Sequence, residues 1–340
     1  MFRIMFLIFG FKLAVLGASP TSCGENAYSS KDKAYQSLDL TGNQLTGVPD
    51  EILAQTDLEE LWIDDNQISK IPEDIYKLIH LKRFSAYKNK IETLPESIFN
   101  LTDLERINFS VNKIKSISER IGNLKNLQVL DVNHNELIDL PEAIGYLDDL
   151  RFLYLAGNRF ENLPSSFENL KKLVYLNITH DRFKFIPTCI GSMDSLIELR
   201  IYNNAITSIP DCISNLMNLK EIHGMNNLIT ALPDSLGRLI HLRKLMLENN
   251  QLSTLPESIG DLENLTDLDL RANQLLALPE TIGNLKSLRF LDLRDNKLTS
   301  LPSNLRNLPN LEKIDVRLNK GLIIPEWFQD LEQRGCSVFY

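Results

Sequence analysis

Cysteine, excess basic charge and long apolar runs are all in short supply in this chain. Four cysteines stand in 340 residues, at Cys23, Cys189, Cys212 and Cys336. No Cys-x-x-Cys pair or other zinc spacing joins them. Lys and Arg number 36 against 45 Asp and Glu, for a formal net charge of -9. Binding a phosphate backbone needs a Lys/Arg surface, so this balance argues against nucleic acid as a partner. A glycine-rich phosphate loop, a nucleophile elbow and a metalloprotease signature are all missing, so no catalysis, cofactor or metal is expected. The main apolar run, Ile4 to Leu16, is broken by Gly10 and Lys12 and falls short of the roughly 20 residues that span a bilayer.

That run has another use. It follows a basic start at Arg3 and precedes the small residues Gly17, Ala18 and Ser19, which is the plan of a secretory signal peptide over residues 1–18. Cleavage after Gly17 or Ala18 is compatible with the pattern. Cys23 follows closely, as the lipidated cysteine of a bacterial lipoprotein would, but Pro20 departs from that pattern. The lipid anchor is therefore the lesser reading, and an ordinary cysteine in an amino-terminal cap over residues 19–34 is the main one. A hydrophobic fraction of 43% is enough for a buried core.

What is abundant is order. Asparagine recurs every 23 residues from Asn43 to Asn319, and only Asp181 breaks the series while keeping the register. Leucines hold fixed offsets around it, as in Leu265, Leu268, Leu270, Asn273, Leu275, Leu278, Pro279, Ile282, Gly283 and Leu285. A period of this length predicts a stacked solenoid of about 13 coils rather than two globular domains. Alternation around Leu268-Asp269-Leu270 predicts a strand, paired in parallel with its neighbours at ~4.8 Å. The Asn, able to donate and accept, should satisfy turn groups between coils. Asp181 should lose a donor contact there. Proline, tolerated at the first turn of a helix, opens the second half of most coils and predicts a short helical segment in the stretch after it, such as Glu257 to Leu262; Ser118 replaces it in the fourth coil.

These motifs resemble the leucine-rich-repeat family, in its 23-residue subclass with Leu-Pro and Ile-Gly in the second half. The resemblance covers about residues 35 to 340 and implies an α/β horseshoe with a parallel sheet on the concave side. Trp327, Phe328 and Leu331 should close the carboxy-terminal end as an amphipathic turn, followed by an edge strand from Cys336 to Tyr340. The chain looks like the exported repeat proteins of bacteria, some of which contact host molecules. An alternative resemblance is to intracellular scaffolds of the Ras-associated type, in which the apolar amino terminus is incidental. A repeat-bearing ubiquitin ligase fits less well, because no catalytic domain follows the repeats.

Exposed strand positions, read by offset, point to a binding surface in the sixth to tenth coils. Phe152, Tyr154, Tyr175, His180, Arg200, Tyr202, His223 and Met225 gather there, with Met246 beside them. Aromatics, Met and Arg are the composition of an interface core, so a protein partner is expected on the concave face. The same rings could instead only cover neighbouring strands. Asp269, Asp292 and Asp315 beside Arg271, Arg294 and Arg317 should form a self-neutralising ladder. His134, His180 and His223 face one side about 10 Å apart, too far to share a metal without other ligands. Cys189 and Cys212 share one position in adjacent coils, where a disulfide or two free thiols are both compatible with the spacing. Cys23 and Cys336, roughly 55 Å apart along the arc, cannot pair. Asn100, Asn108, Asn177 and Asn264 head glycosylation sequences. Glycans at Asn108 and Asn177 would obstruct the concave face, which favours a bacterial source.

Overall fold

The structure, a computed structural model, describes residues 37–340. The expected signal segment 1–18, the cap 19–34 and Cys23 lie outside the described residues. Thirteen three-residue strands, from β1 (Ser37–Asp39) to β13 (Lys313–Asp315), and a final β14 (Ser337–Phe339) form one parallel sheet in strict chain order. Residues 23 apart are partners throughout β1 to β13, as with Tyr154, Asn177 and Arg200. The middle strand residue points inward, and Leu61, Leu153, Leu199 and Leu245 are fully buried. Burying each such side chain contributes about 1.5–3 kcal/mol.

After the repeat strands the chain turns through a residue with positive φ, such as His134 at 51° or Asn226 at 54°, and then reaches the repeated asparagine or, after His180, Asp181. Asn250 shows what that residue does. Its Oδ1 accepts the Ile229 N–H at 3.1 Å, and its Nδ2 donates to the carbonyls of Gly224, Leu247 and Glu248 at 2.9, 3.0 and 3.3 Å. One amide thus satisfies four backbone groups in two coils, groups that would be costly to bury unpaired.

The convex side is made of one-turn 3-10 segments such as Glu257–Asp261, with a short α1 (Asp50–Leu53) near the start and α2 (Phe328–Gln333) near the end. Most of these turns occupy the stretch directly after a proline, as the sequence suggests. Pro256 stands before the turn in an extended conformation (φ -71°, ψ 152°), and its carbonyl accepts the Ile259 N–H at 3.1 Å. Its fixed φ suits an extended residue as well as a helical one. Ser118, without a ring, caps its turn with its side chain, accepting from Arg120 N at 3.2 Å. The glycine of the Ile-Gly pair is a packing requirement: a Cβ on Gly260 would lie 2.4 Å from the Thr281 carbonyl oxygen in the next coil. Phe328 and Leu331 on α2 are buried, Trp327 packs against the core, and β14 pairs with β13, as expected for the closing segment.

Asp181 behaves differently from its sister asparagines. Its Oδ1 accepts from Asn158 N and Phe160 N, both at 3.1 Å, but its Oδ2 is buried without a partner. That oxygen occupies the place of the donating amide nitrogen in other coils. Burial pushes the carboxyl up to about 7. The unfolded chain releases this proton near pH 4, so the stabilisation is complete below that value and fades as pH rises through about 7. Asp181→Asn restores the donor and should stabilise the solenoid by about 1–3 kcal/mol at pH 8. The gain should shrink toward pH 4. Thermal melts of both chains across that range check this, and an equal slope in the two would assign the titration to another group.

Candidate functional site

The concave face of β6 (Phe152–Tyr154), β7 (Tyr175–Asn177), β8 (Glu198–Arg200) and β9 (Glu221–His223) carries the expected cluster in three connected pieces. The first is a ring stack. Tyr175 lies between Phe152, with centroids 6.4 Å apart, and Tyr154, at 4.8 Å, and the Arg200 guanidinium sits 5.5 Å from the Tyr175 centroid. Strand pairing places these residues side by side, and ring pairs in this range attract beyond their burial. Arg200 Nε donates to Glu198 Oε1 at 2.6 Å, which holds the guanidinium over the ring.

The second piece is polar. The His180 ring meets Tyr202 edge-on at 5.3 Å, and its Nε2 lies 2.6 Å from Asn203 Nδ2. Asn203 Oδ1 in turn accepts from Asn226 Nδ2 at 2.7 Å, and Asn226 Oδ1 accepts from Asn249 Nδ2 at 2.8 Å. With every amide donating in one direction, His180 Nε2 is the final acceptor and must be unprotonated. Burial and the neighbouring His134 lower its pKa in the same sense. Met225 follows Tyr202 one coil on and is half-buried.

The third piece joins His223 to acids. Its Nε2 lies 3.0 Å from Glu221 Oε2 and 3.7 Å from Glu198 Oε1. A carboxylate only accepts, so this nitrogen carries the proton. The His223 hydrogen bond, with that of Lys244 at 2.9 Å, holds the Glu221 carboxyl at about 2. The histidine column alone spaces its members too widely for a metal. Glu198, Glu221 and His223 do bring ligand atoms within 4.8 Å of one another, the one such group among the described residues. Arg200 and Lys244 already neutralise both carboxylates.

Asn177 departs from expectation. It is buried between Tyr154 and Arg200, its Oδ1 accepting the Thr179 N–H at 3.2 Å, so it is a support rather than an open contact residue. The asparagine relay and the two glutamates were missed in the sequence. The doublets Asn203-Asn204, Asn226-Asn227 and Asn249-Asn250, at intervals of 23, were the available signal for the relay. Cys189 and Cys212 are free thiols, and burial raises both, Cys189 to about 11. In the acid–base strip, Arg294 grips Asp292 and Arg317 grips Asp315, each at 2.6 Å, but Arg271 turns to Glu248.

A family model described as a leucine-rich repeat region matches residues 35–139, 118–231 and 224–333. The chain belongs to the leucine-rich-repeat family. Among solved structures, the leucine-rich-repeat protein LIC12759 of Leptospira interrogans is 32% identical, with a TM-score of 0.82 over 87% of this chain and 76% of that one. The plant peptide hormone receptor RGFR1, in complex with RGF2, is 33% identical, with a TM-score of 0.65 over 82% of this chain and 51% of the receptor. An internalin of Listeria monocytogenes, InlF, is 25% identical, with a TM-score of 0.65 over 81% and 85% of the two chains. No curated protein matches this leucine-rich-repeat chain in sequence. Solenoids of this kind commonly bind proteins on their extended concave surface. No helix among the described residues is long and apolar enough to cross a membrane.

Burial raises the phenol pKa of both Tyr154 and Tyr175. An unfolded tyrosine ionises at about 10, so the chain should lose stability as pH rises past that value. In an alkaline ultraviolet titration these two phenols should ionise after the exposed tyrosines. Tyr175→Phe should remove part of the late step, and an unaltered titration would show that the ring is solvated.

Proposed function

We propose that this leucine-rich-repeat protein is secreted or held at the cell surface and captures another protein, without catalysis, through the concave face of β6 to β9. The observation that carries the reading is the stack of Phe152, Tyr175 and Tyr154 with Arg200 laid on it. Large side chains already fixed against one another lose little freedom on binding, and Tyr and Arg are the residue types that dominate interface energies. Tyr202, His180, His223 and Met225 extend the surface toward the polar relay. The bacterial neighbours LIC12759 and InlF support an exported role, as does the signal-like segment 1–18. The RGFR1 complex with RGF2 supports a protein or peptide ligand.

The test compares the chain with a variant carrying Tyr154→Ala, Tyr175→Ala, Arg200→Ala and Tyr202→Ala. Pull-down followed by mass spectrometry should recover a partner with the parent chain. The variant, melting cooperatively and with the same circular dichroism, should lose it. Tyr175→Ala alone should weaken the complex by at least ~2 kcal/mol, about thirtyfold. Equal capture by both chains would remove the site from consideration. A tagged full-length chain that keeps residues 1–18 and stays inside the cell would remove the exported role.

A further inference from the structure

The convex side carries two cysteines at one repeat position in successive coils. Cys189 lies in the one-turn segment Thr188–Ser192, and Cys212 in Asp211–Asn215. Later coils place Ser235 and Ser258 there. The two segments are in direct contact. The Cys212 thiol points back at the preceding turn and donates to the carbonyl of Thr188, the residue before Cys189, at 3.8 Å. A Cβ on Gly191 would lie 2.7 Å from the Cys212 Cβ and 3.0 Å from its Sγ. The bare Gly191 thus lets the Cys212 thiol sit on the turn that carries Cys189. Equivalent residues one coil apart stand at ~4.8 Å on the sheet, inside the ~4.4–6.8 Å between Cα atoms that a disulfide spans. Neither thiol is fully buried, so a small oxidant can reach both.

The place of the pair along the solenoid is specific. β7 leads through Asp181 to Cys189, and β8 leads through Asn204 to Cys212. These are the coils whose concave faces hold Tyr175 and the Arg200 guanidinium laid on its ring. Asp181 leaves the side-chain mesh of the seventh coil one donor short. A tie between the two cysteines would therefore fall behind the ring stack, on the coil whose hydrogen-bonded tie is incomplete.

We propose that Cys189 and Cys212 close into a disulfide that fastens the seventh coil to the eighth behind the Tyr175–Arg200 contact. The oxidant is an external disulfide, of a small thiol or of a thiol–disulfide oxidoreductase. One cysteine thiolate attacks a sulfur of that disulfide and releases one thiol. The second cysteine attacks the mixed disulfide and releases the other. Two thiol protons are given up, two electrons reduce the external disulfide to two thiols, and one S–S bond forms in the chain. The bridge closes a loop of one repeat and so restricts the unfolded chain. The inference takes its oxidising surroundings from the exported reading. The pairing itself depends on the chain alone.

The experiment equilibrates the purified full chain with glutathione disulfide. Burial holds both thiols protonated and slows their attack, so the reaction is read at equilibrium. The monomer is isolated by gel filtration, alkylated and digested with trypsin without reduction. Mass spectrometry should find residues 185–200 joined to residues 201–220, with no glutathione on either peptide. Reduction should separate them. The oxidised chain should melt about 3–6 °C above the reduced one. Cys189→Ser and Cys212→Ser, each installing the residue that later coils use, should melt like the reduced parent in either buffer. Peptides that stay alkylated or keep glutathione, bridges found only between copies of the chain, or equal melting of the oxidised and reduced parent overturn the inference. These readouts use the isolated chain, so they stand apart from whether it is exported or captures a partner.

Discussion

One side-chain amide per coil holds this molecule in register. From Asn66 on, each repeated asparagine reaches back to the preceding coil with both ends, accepting from a backbone N–H 21 residues earlier and donating to a carbonyl 26 residues earlier. The turn groups it satisfies are buried, and water cannot replace it there. This bond, together with stacked leucines, fixes which strand residue meets which. The recognition surface inherits that alignment: Tyr154, Asn177 and Arg200 are neighbours because Asn158, Asp181 and Asn204 hold their coils one step apart. Asp181 weakens the mesh beneath the ring stack, since one of its oxygens lies buried where a donor belongs. The irregularity of the scaffold and the aromatic patch therefore fall in the same coils.

The convex side serves the concave side. Proline-led turns, closely stacked through glycines, take up less width than α-helices would. Acidic side chains tie successive turns together: Glu119 accepts the Ala143 N–H and Glu142 the Ser166 N–H, both at 2.9 Å. These bonds replace caps that a one-turn segment cannot provide within itself.

The coil boundaries, strand positions, core leucines and closing segment were legible in the sequence because they are set by periodicity, and periodicity survives without knowledge of side-chain conformation. The ring stack was legible for the same reason, since a shared offset means adjacency across ~4.8 Å. Reading by columns failed where side chains choose among several neighbours. Arg271 has acceptors in two columns and takes Glu248 over Asp269. Asn177 occupies an outward offset but is overgrown by Tyr154 and Arg200, larger residues on either side. His223 finds its partners along the strand and across it, at Glu221 and Glu198, rather than among the other histidines of its column. Offsets specify Cβ positions, whereas long polar side chains settle according to charge and reach.

The same distinction explains how a regular sheet acquires specificity. Strand spacing is constant, so relief on the concave face arises only from differences in size between successive coils. Phe152, Tyr154 and Tyr175 form a raised ridge because bulky residues follow one another and support each other. The shorter Asp267 lies between Lys244 and Phe290, and Asp269 between Met246 and Asp292, so the sheet is lower there. A flat or uniformly ridged surface would bind by area alone. A ridge of linked rings instead favours a partner whose apolar contacts match it in steps of whole coils.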